Sequence, residues 1–380
     1  MNIVFRVDGS LEIGTGHVMR CITLADEFRR NGVACHFITR EQPGSLQSLI
    51  RDRGHVCHCL PEIHSELRDN AELGLLADED CFLKYEGWLL GGWENDADQS
   101  FEIAQSIKPD WVIVDHYAID DRWETILAGC CKSLMVIDDL ANRRHNCKVL
   151  LDQTYGRSSE FYRELVPPGC ELLCGAQYAL LRPQFEHMRD FSLSRRESPR
   201  LHNLLITMGG VDQGDITSLV LDSLVGSGLP MSCQITVVMG KTAPWLDNVR
   251  EKANDSPWPV AVLVGVQQMA EVMTYSDLAI CAAGSTTWEC CCLGLPSILI
   301  VAAANQKEGC KVLTSQIACP MIESVDQIRS ELSSKIHCFL GNMPAMDNCT
   351  QQMKTVTSGL GVKMVCGVIS RNNTSKLESV

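Results

Sequence analysis

The chain has 380 residues, a length that usually requires more than one hydrophobic core, so the sequence predicts two domains. Its formal net charge of −14 disfavours binding to nucleic acids and to anionic membranes. The sequence opens with a strand-like segment instead of a secretory signal, and no apolar run approaches the ~18 residues of a membrane-spanning helix. These features predict a cytoplasmic enzyme whose 20 cysteines are reduced thiols.

The first half of the chain alternates short apolar segments with amphipathic ones, which is typical of βαβ units and a parallel sheet. Val18–Arg30 has the periodicity of a helix, and Asn31-Gly32 ends it. The predicted strands of this half are Ile3–Val7, Ala34–Thr39, Trp111–Val114, Leu134–Ile137 and Val149–Leu151. Residues 64–99 break the pattern. They are expected to form either an elaborated connection beside the active site or a plain surface insertion.

A polar segment, Arg189–Arg200, has the composition of a linker. After it the pattern of buried strands resumes, with Leu204–Met208, Ile235–Met239, Val260–Val264, Leu278–Cys281 and Ser297–Val301. The sequence thus predicts an α/β protein of two doubly wound, Rossmann-like domains, residues 1–190 and 200–365, with a polar tail at 366–380. Ligands of such sheets bind beyond the carboxyl ends of the strands, so the cleft between two facing domains is the expected site.

The first candidate motif runs from Asp8 to His17, where a predicted strand leads into a helix. Gly14 and Gly16 let the backbone approach a ligand closely, and they place His17 in the first helical turn. The positive potential at a helix N-terminus disfavours an imidazolium, so His17 is predicted to be neutral near pH 7 and to act as a general base. Its alternative role is capping or packing. The motif is not the dinucleotide-binding fingerprint, and no cofactor is expected.

The second motif, Asp115-His116-Tyr117, also follows a predicted strand. The hydroxyl of Tyr117 is suited to bind a sugar or to orient a water molecule. Asp115 could instead bond a backbone turn, and packing alone would explain His116. Whether Asp8 or Asp115 assists His17 stays open at this point.

Two further clusters contain side chains that bind metals in other proteins. Asp138 and Asp139 end a predicted strand, but they are equally suited to bind sugar hydroxyls or to cap the next segment. His55–Cys59 combines histidine with cysteine, yet its alternation is that of an ordinary β-strand. Neither cluster has the paired spacing of a zinc site, so the sequence predicts no metal.

Two glycine-containing turns in the second half are candidates for binding phosphate. Gly209-Gly210 follows one predicted strand, and Gly284-Ser285-Thr286 leads from another strand into a helix. Backbone N–H groups at a helix N-terminus can hold a diphosphate, and the two hydroxyl groups can add donors. Glu289, one helical turn further on, can accept hydrogen bonds from a ribose diol. Its alternative role is to stabilise the helix through the helix dipole.

At these residues the sequence resembles the UDP-2,4-diacetamido-2,4,6-trideoxy-β-L-altropyranose hydrolase family of pseudaminic acid biosynthesis, which is related to the MurG-type glycosyltransferases. The resemblance covers about residues 1–365 in unbroken order. The matching segments are Ile13–Arg20, Asp115–Tyr117, Ile137–Ala141, Gln177–Pro183, Gly209–Asp212, Ala283–Glu289 and Asn305-Gln306.

The resemblance implies a glycosyltransferase-B-like fold, with the nucleotide held mainly by the C-terminal domain. It implies hydrolysis of a UDP-sugar to the free sugar and UDP. No obligate protein partner is expected. His17 matches the general base, Tyr117 a tyrosine of the active site and Glu289 the ribose-binding acid, while Asn305 and Gln306 match substrate-binding positions. Because UDP is a good leaving group, one base, one bound water and a stabilised diphosphate suffice for inverting attack at the anomeric carbon.

Two other functions fit the same residues. A UDP-sugar-dependent glycosyltransferase of this fold would have an acceptor pocket in place of the bound water, and fold analogy alone does not separate the two. A non-catalytic nucleotide-sugar-binding protein would keep the Gly284–Glu289 site and would not need His17.

Overall fold

The computed structural model describes residues 1–61 and 83–374, which fall into two compact units. One unit comprises Met1–Leu180 with Val362–Val380, and the other comprises Leu181–Gly361. Each unit is an α/β structure built on a parallel sheet, as the sequence predicts. Every helix in the described ranges is too short or too polar to cross a lipid bilayer.

The first sheet contains the strands β1 (Asn2–Val7), β2 (Ala34–Arg40), β3 (Val56–Leu60), β4 (Trp111–Asp115), β5 (Ser133–Ile137), β6 (Val149–Asp152) and β7 (Glu171–Cys174). Its strand order is β3-β2-β1-β4-β5-β6-β7. The helices of this unit, numbered along the whole chain, are α1 (Gly16–Arg30), α2 (Gln47–Asp52), α3 (Leu83–Glu86), α4 (Gly92–Ile107), α5 (Asp121–Leu127) and α14 (Gly361–Thr374). The segment His55–Cys59 lies largely in β3, as its alternation predicts.

The central strands of the first sheet, β1, β4, β5 and β6, are buried on both faces, which explains why they are nearly continuous apolar runs. Successive residues of β1 alternate between the faces. Ile3 and Phe5 pack with α1 on one face, while Val4 packs with α4 and α5 on the other. Helix α14 joins the first of these cores through Val365 and Ile369, which are fully buried.

The second sheet contains β8 (Asn203–Thr207), β9 (Gln234–Met239), β10 (Val260–Val264), β11 (Leu278–Ala282), β12 (Ser297–Ile300) and β13 (Met321–Ile322), in the order β10-β9-β8-β11-β12-β13. Its helices are α6 (Pro183–Arg195), α7 (Ile216–Ser223), α8 (Leu246–Asp255), α9 (Met269–Tyr275), α10 (Ser285–Leu293), α11 (Lys307–Gln316), α12 (Ile328–His337) and α13 (Met343–Met353). The strands predicted from the sequence are confirmed to within one or two residues, whereas β7 and β13 were not predicted.

The segment predicted to be a linker, Arg189–Arg200, begins inside α6, so the linker prediction is wrong as far as Arg195. The charged side chains that suggested a linker bind main-chain oxygens instead. Arg189 donates to the carbonyl oxygens of Thr357 and Lys354, at 3.0 and 2.6 Å. Polarity in α6 therefore reflects hydrogen bonding within the second unit, not exposure of a connecting segment.

The boundary between the compact units also differs from the predicted one near residue 195. The chain passes from the first unit to the second after Leu180 and returns after Gly361. Residues 366–374, which the sequence assigns to a polar tail, are helical. The apolar residues of α14 recur at helical spacing and fill the core of the first unit, while its polar residues face outward.

Candidate active site

The loops that carry the predicted motifs lie at equivalent places in the two sheets. In the first sheet the strand order reverses between β1, which precedes the loop from Asp8 to His17, and β4, which ends at Asp115. In the second sheet it reverses between β8, which precedes Gly209-Gly210, and β11, which precedes Gly284. Open α/β sheets bind ligands at such reversals, outside the carboxyl ends of the strands.

His17 and Asp115 are in direct contact, although they are 98 positions apart in the sequence. His17 Nδ1 lies 2.6 Å from Asp115 Oδ1. Because a carboxylate only accepts hydrogen bonds, Nδ1 donates in this contact, and Nε2 is then the basic nitrogen of the neutral ring. A histidine held in one tautomer by a carboxylate can serve as a general base.

Arg20, one helical turn after His17, holds Asp115 from the other side. Arg20 Nε lies 2.6 Å from Asp115 Oδ2, and Nη2 lies 2.7 Å from Oδ1, which makes a bidentate ion pair. Burial opposes ionisation of Asp115, but Arg20 and His17 hold its pKa well below the usual range. Sequence reasoning missed Arg20, although its spacing of three residues from His17 already places both side chains on one helix face.

Asp139 and Tyr117 extend this network. Arg20 Nη1 lies 2.6 Å from Asp139 Oδ2, and the Tyr117 hydroxyl donates to the same oxygen over 3.0 Å. The Tyr117 ring stands edge-on to the His17 ring, with 4.6 Å between the ring centres. Tyr117 is thus beside His17, as the sequence led us to expect, and its hydroxyl is bonded to a carboxylate that sequence analysis left without a definite role.

Asp8 belongs to a separate buried network. Its carboxylate accepts from Arg6 Nη2 and from the backbone N–H of Arg40, both at 2.8 Å, and His116 Nε2 lies 3.4 Å away. Burial opposes its ionisation, but Arg6 holds the pKa of Asp8 well below its usual range. Of the two carboxylates considered as helpers of the base, Asp115 contacts the imidazole, while Asp8 ties β1 to β2.

Asp138 is fully buried and takes part in structural bonds. Its Oδ1 lies 2.7 Å from Arg143 Nη1, and the Tyr162 hydroxyl lies 2.9 Å from Asp138 Oδ2 and 2.8 Å from Asp152 Oδ2. Burial and the negative charge of Asp139 raise the pKa of Asp152 to about 7. Within residues 1–61 and 83–374, no cluster of three or more His, Cys, Asp or Glu side chains has the arrangement of a metal site.

The raised pKa of Asp152 gives a testable pH dependence of stability. The unfolded chain binds this proton with a pKa of about 3.9, so the folded state holds it more tightly. The resulting stabilisation is complete below about pH 4 and is lost as the pH rises through about 7, with a slope approaching 1.4 kcal/mol per pH unit. We expect Asp152→Asn to remove this slope. Urea unfolding of both proteins between about pH 5 and about pH 7.5 measures it, and equal slopes would contradict the assignment.

In the second unit, the backbone of the Gly209-Gly210 loop packs directly against the backbone of Gly240. A Cβ atom at Gly240, directly after β9, would overlap the carbonyl oxygen of Gly210. Gly209 has φ +91°, a conformation that side-chain-bearing residues rarely adopt. The glycines thus permit close backbone packing at the carboxyl end of β8, where main-chain groups form the surface.

The Gly284 turn ends in helix α10, whose first N–H groups have no acceptor within the helix. Ser285 is exposed and Thr286 is half-buried at this end. Gln306 lies beside the turn, because a Cβ at Gly284 would be 3.6 Å from its Nε2. Gln306 Oε1 accepts from the backbone N–H of Ala302 at 2.9 Å. The structure therefore brings Gln306 to the predicted phosphate turn.

Glu289 lies one turn into α10 and has a partner that sequence reasoning did not assign. Arg182 Nη2 lies 3.3 Å from Glu289 Oε1. Burial raises the pKa of Glu289, and Arg182 partly offsets this shift. Arg182 lies within the segment Gln177–Pro183, so the resemblance contained the residue but not its contact. Asn305, next to the Gln306 position, is exposed.

One residue of the irregular segment 64–99, Trp88, lies beside His17. Trp88 is 6.1 Å from the His17 ring and 5.7 Å from the Tyr117 ring, between ring centres. Both alternatives for this segment stay predictions, and the position of Trp88 favours a connection beside the candidate site. Residues 64–82 lie outside the described residues.

Comparison with known sequences finds similarity in the second unit and over most of the chain. Residues 203–357 match the glycosyltransferase family 28 C-terminal domain. The chain is 26% identical over 293 residues to the UDP-2,4-diacetamido-2,4,6-trideoxy-β-L-altropyranose hydrolase of Campylobacter jejuni, covering 75% of this chain and 86% of that protein. It is also 25% identical over 315 residues to an uncharacterised protein of Methanocaldococcus jannaschii, covering 81% of this chain but only 57% of that relative.

Solved structures extend the likeness over both units. MurG of Acinetobacter baumannii aligns with a TM-score of 0.66 at 14% identity, covering 97% of this chain and 99% of that one. The spinosyn rhamnosyltransferase SpnG aligns with a TM-score of 0.62 at 12% identity, covering 97% of this chain and 99% of that one. The chain has the glycosyltransferase-B fold. The Campylobacter relative is a member of the hydrolase family that the sequence motifs resemble. The comparison therefore supports that resemblance.

Proposed function

We propose that this glycosyltransferase-B protein hydrolyses a UDP-linked 2,4-diacetamido-2,4,6-trideoxyhexose to UDP and the free sugar, as a step in pseudaminic acid biosynthesis. The observation that carries the proposal is the contact of His17 with Asp115 at the strand reversal of the first sheet. It supplies a base oriented for water at the place where such sheets bind ligands. The similarity to the Campylobacter hydrolase supports the choice of substrate.

The proposed reaction is one direct displacement. His17 Nε2 takes a proton from a water molecule, and the water oxygen forms a bond to the anomeric carbon. The bond from that carbon to the diphosphate oxygen breaks, and UDP leaves with the electron pair, so the configuration inverts. Asp115 stabilises the imidazolium that forms, while Arg20 keeps Asp115 in place. The N–H groups of Ser285 and Thr286 and the turn at Gly209-Gly210 are the proposed donors to the diphosphate.

Glycosyl transfer is the second candidate function. The match to a glycosyltransferase domain and the likeness to solved glycosyltransferases favour it. In that reaction an acceptor hydroxyl would replace the water beside His17. The same base and the same nucleotide site would serve both reactions, so only a measurement with and without an acceptor separates them.

The deciding experiment is UDP release from the UDP-linked diacetamido-trideoxyhexose with no acceptor added. We expect continuous release of UDP, with the free sugar formed in equal amount. If UDP release strictly requires an added acceptor, the function is glycosyl transfer and the hydrolysis proposal is wrong. Absence of any reaction, together with tight UDP binding, would favour a binding protein.

Hydrolysis in ¹⁸O-labelled water tests the mechanism. Attack by water at the anomeric carbon puts the label in the sugar, whereas attack at phosphorus puts it in UDP. We expect labelled sugar and an inverted first-formed anomer by NMR, in the presence of excess EDTA as well as without it. Label in UDP, retention of configuration, or loss of all activity in EDTA would each contradict the proposal.

Glu289→Ala is expected to raise KM roughly tenfold or more and to leave kcat nearly unchanged. A hydrogen bond from a ribose diol to this carboxylate would act on the ground state and the transition state alike. Calorimetric titration with UDP measures the loss directly. Glu271→Ala, an exposed acid on α9 of the same unit, is the control. Unchanged UDP affinity in Glu289→Ala would move the ribose site elsewhere.

A further inference from the structure

An aromatic cluster made of Tyr85, Trp88 and Tyr117 covers one side of His17. The Trp88 indole is nearly parallel to the Tyr117 ring, at 20° and 5.7 Å between centres, and it meets the His17 ring edge-on at 6.1 Å. Tyr85 packs edge-on against both, at 4.8 Å from Trp88 and 5.2 Å from Tyr117. The two tyrosines are buried, whereas Trp88 is only partly buried.

Trp88 is held firmly in this position. Its backbone N–H donates to the carbonyl oxygen of Tyr85 over 2.9 Å, and the neighbouring Leu89 is buried in the core of the first unit. The aromatic contacts fix the ring plane relative to His17. The exposed part of the indole is therefore a fixed apolar surface next to the base, not a side chain free to move in solvent.

The polar groups on this side of the base are already bonded to one another. The Tyr117 hydroxyl donates to Asp139, and Arg20 binds both Asp139 and Asp115. Bonded in this way, the Tyr117 hydroxyl has no further hydrogen to donate to an incoming sugar. The indole of Trp88 instead offers contact area. A sugar placed against it gains free energy through its apolar groups and not through its hydroxyls.

We propose that Trp88 determines the sugar specificity of the site by packing against methyl groups of the sugar. The inference rests on the proposed function, because it assigns the sugar subsite of the same centre. A 6-deoxy sugar carries a methyl group where common hexoses carry a hydroxymethyl group, and each acetamido substituent adds another methyl. Burying a methyl on the indole is favourable, whereas a hydroxyl placed there would lose its hydrogen bonds to water.

The test compares two substrates in wild-type protein and in Trp88→Ala. The substrates are the UDP-linked diacetamido-trideoxyhexose and UDP-N-acetylglucosamine, which has one acetamido group and a 6-hydroxyl. We expect Trp88→Ala to reduce the preference for the first, measured as the ratio of kcat/KM values, by roughly tenfold or more, since a hydrophobic contact with one methyl is worth about 10–200-fold. Trp88→Phe should retain most of the preference.

The matched control is Trp93→Ala. Trp93 is half-buried in α4, and the Arg122 guanidinium lies 4.6 Å from its ring centre. Its replacement should leave the substrate preference unchanged. An equal loss toward both substrates in Trp88→Ala would overturn the inference, because it would show that Trp88 only supports Tyr117 and His17.

Binding measurements keep this test separate from the hydrolysis test. In a His17→Ala background, calorimetry with both nucleotide sugars gives the preference as a ratio of Kd values without turnover. A preference lost on adding Trp88→Ala supports the subsite even if wild-type protein proves to need an acceptor. Equal Kd values for the two nucleotide sugars in His17→Ala alone would refute the subsite. The result of the hydrolysis assay would not be affected.

Discussion

His17→Ala is expected to lower kcat by at least ~100-fold, the lower end of the effect of removing a general base. UDP affinity should stay near that of wild-type protein, because the proposed diphosphate donors lie in the Leu181–Gly361 unit. Steady-state kinetics of UDP release together with calorimetry of UDP separate the two effects.

The control for this variant is His187→Ala, which removes an exposed imidazole from α6. It should have wild-type kcat. Turnover of His17→Ala close to that of the control would leave His17 as a helix-start residue with a packing role, the alternative that the sequence allowed.

Asp115→Asn is expected to reduce kcat by up to roughly 10⁴-fold, the effect of replacing the carboxylate partner of a catalytic histidine with an amide. The amide keeps the shape of the side chain, but its NH₂ group can face His17 Nδ1 and favour the wrong tautomer. The change also removes a buried negative charge beside Arg20, so a lower Tm should accompany it.

Asp139→Asn is the matched variant. Asp139 also binds Arg20, but the carboxylate that the structure shows bonded to His17 is that of Asp115. Both variants should lose stability, whereas only Asp115→Asn should show the large loss in kcat. Circular dichroism during heating reports the first effect, and UDP release reports the second. Equal kcat losses in the two variants would mean that the whole charge network matters and not the orientation of one ring.

The pairs that define the candidate site join residues far apart in sequence. Asp115 reaches His17 across 98 positions, and Arg182 reaches Glu289 across 107. The motif positions were visible because each follows a strand, and parallel strands bring their carboxyl ends to one edge. Which carboxylate reaches the His17 imidazole depends on strand register and on side-chain rotamers. The sequence therefore did not decide between Asp8 and Asp115, whereas the pairing of β1 with β4 does.

The local sequence pattern also led to wrong predictions for two polar segments, one predicted to be a linker and one a tail. Arg189–Arg195 looked like a linker because charges cluster there, but Arg189 donates to a carbonyl oxygen of the second unit and Arg195 to the carboxylate of Asp277 in the same unit. Residues 366–374 were assigned to a polar tail because of the polar residues from about Arg371 onward, yet Ile369 and its helical neighbours fill the core of the first unit. In both cases the partner lies in a distant part of the chain, which composition does not reveal.

The sequence by itself determined the alternation of strands and helices, and with it two α/β units and the strand ends that carry His17, Tyr117 and Gly284. It could do so because hydrophobic periodicity and glycine turns act over a few residues. Only the tertiary structure decided that Asp115 contacts His17, that Arg20 holds Asp115, and that Trp88 stands edge-on to the His17 ring. These contacts depend on how separate elements pack, and packing is set by the sum of many distant side chains.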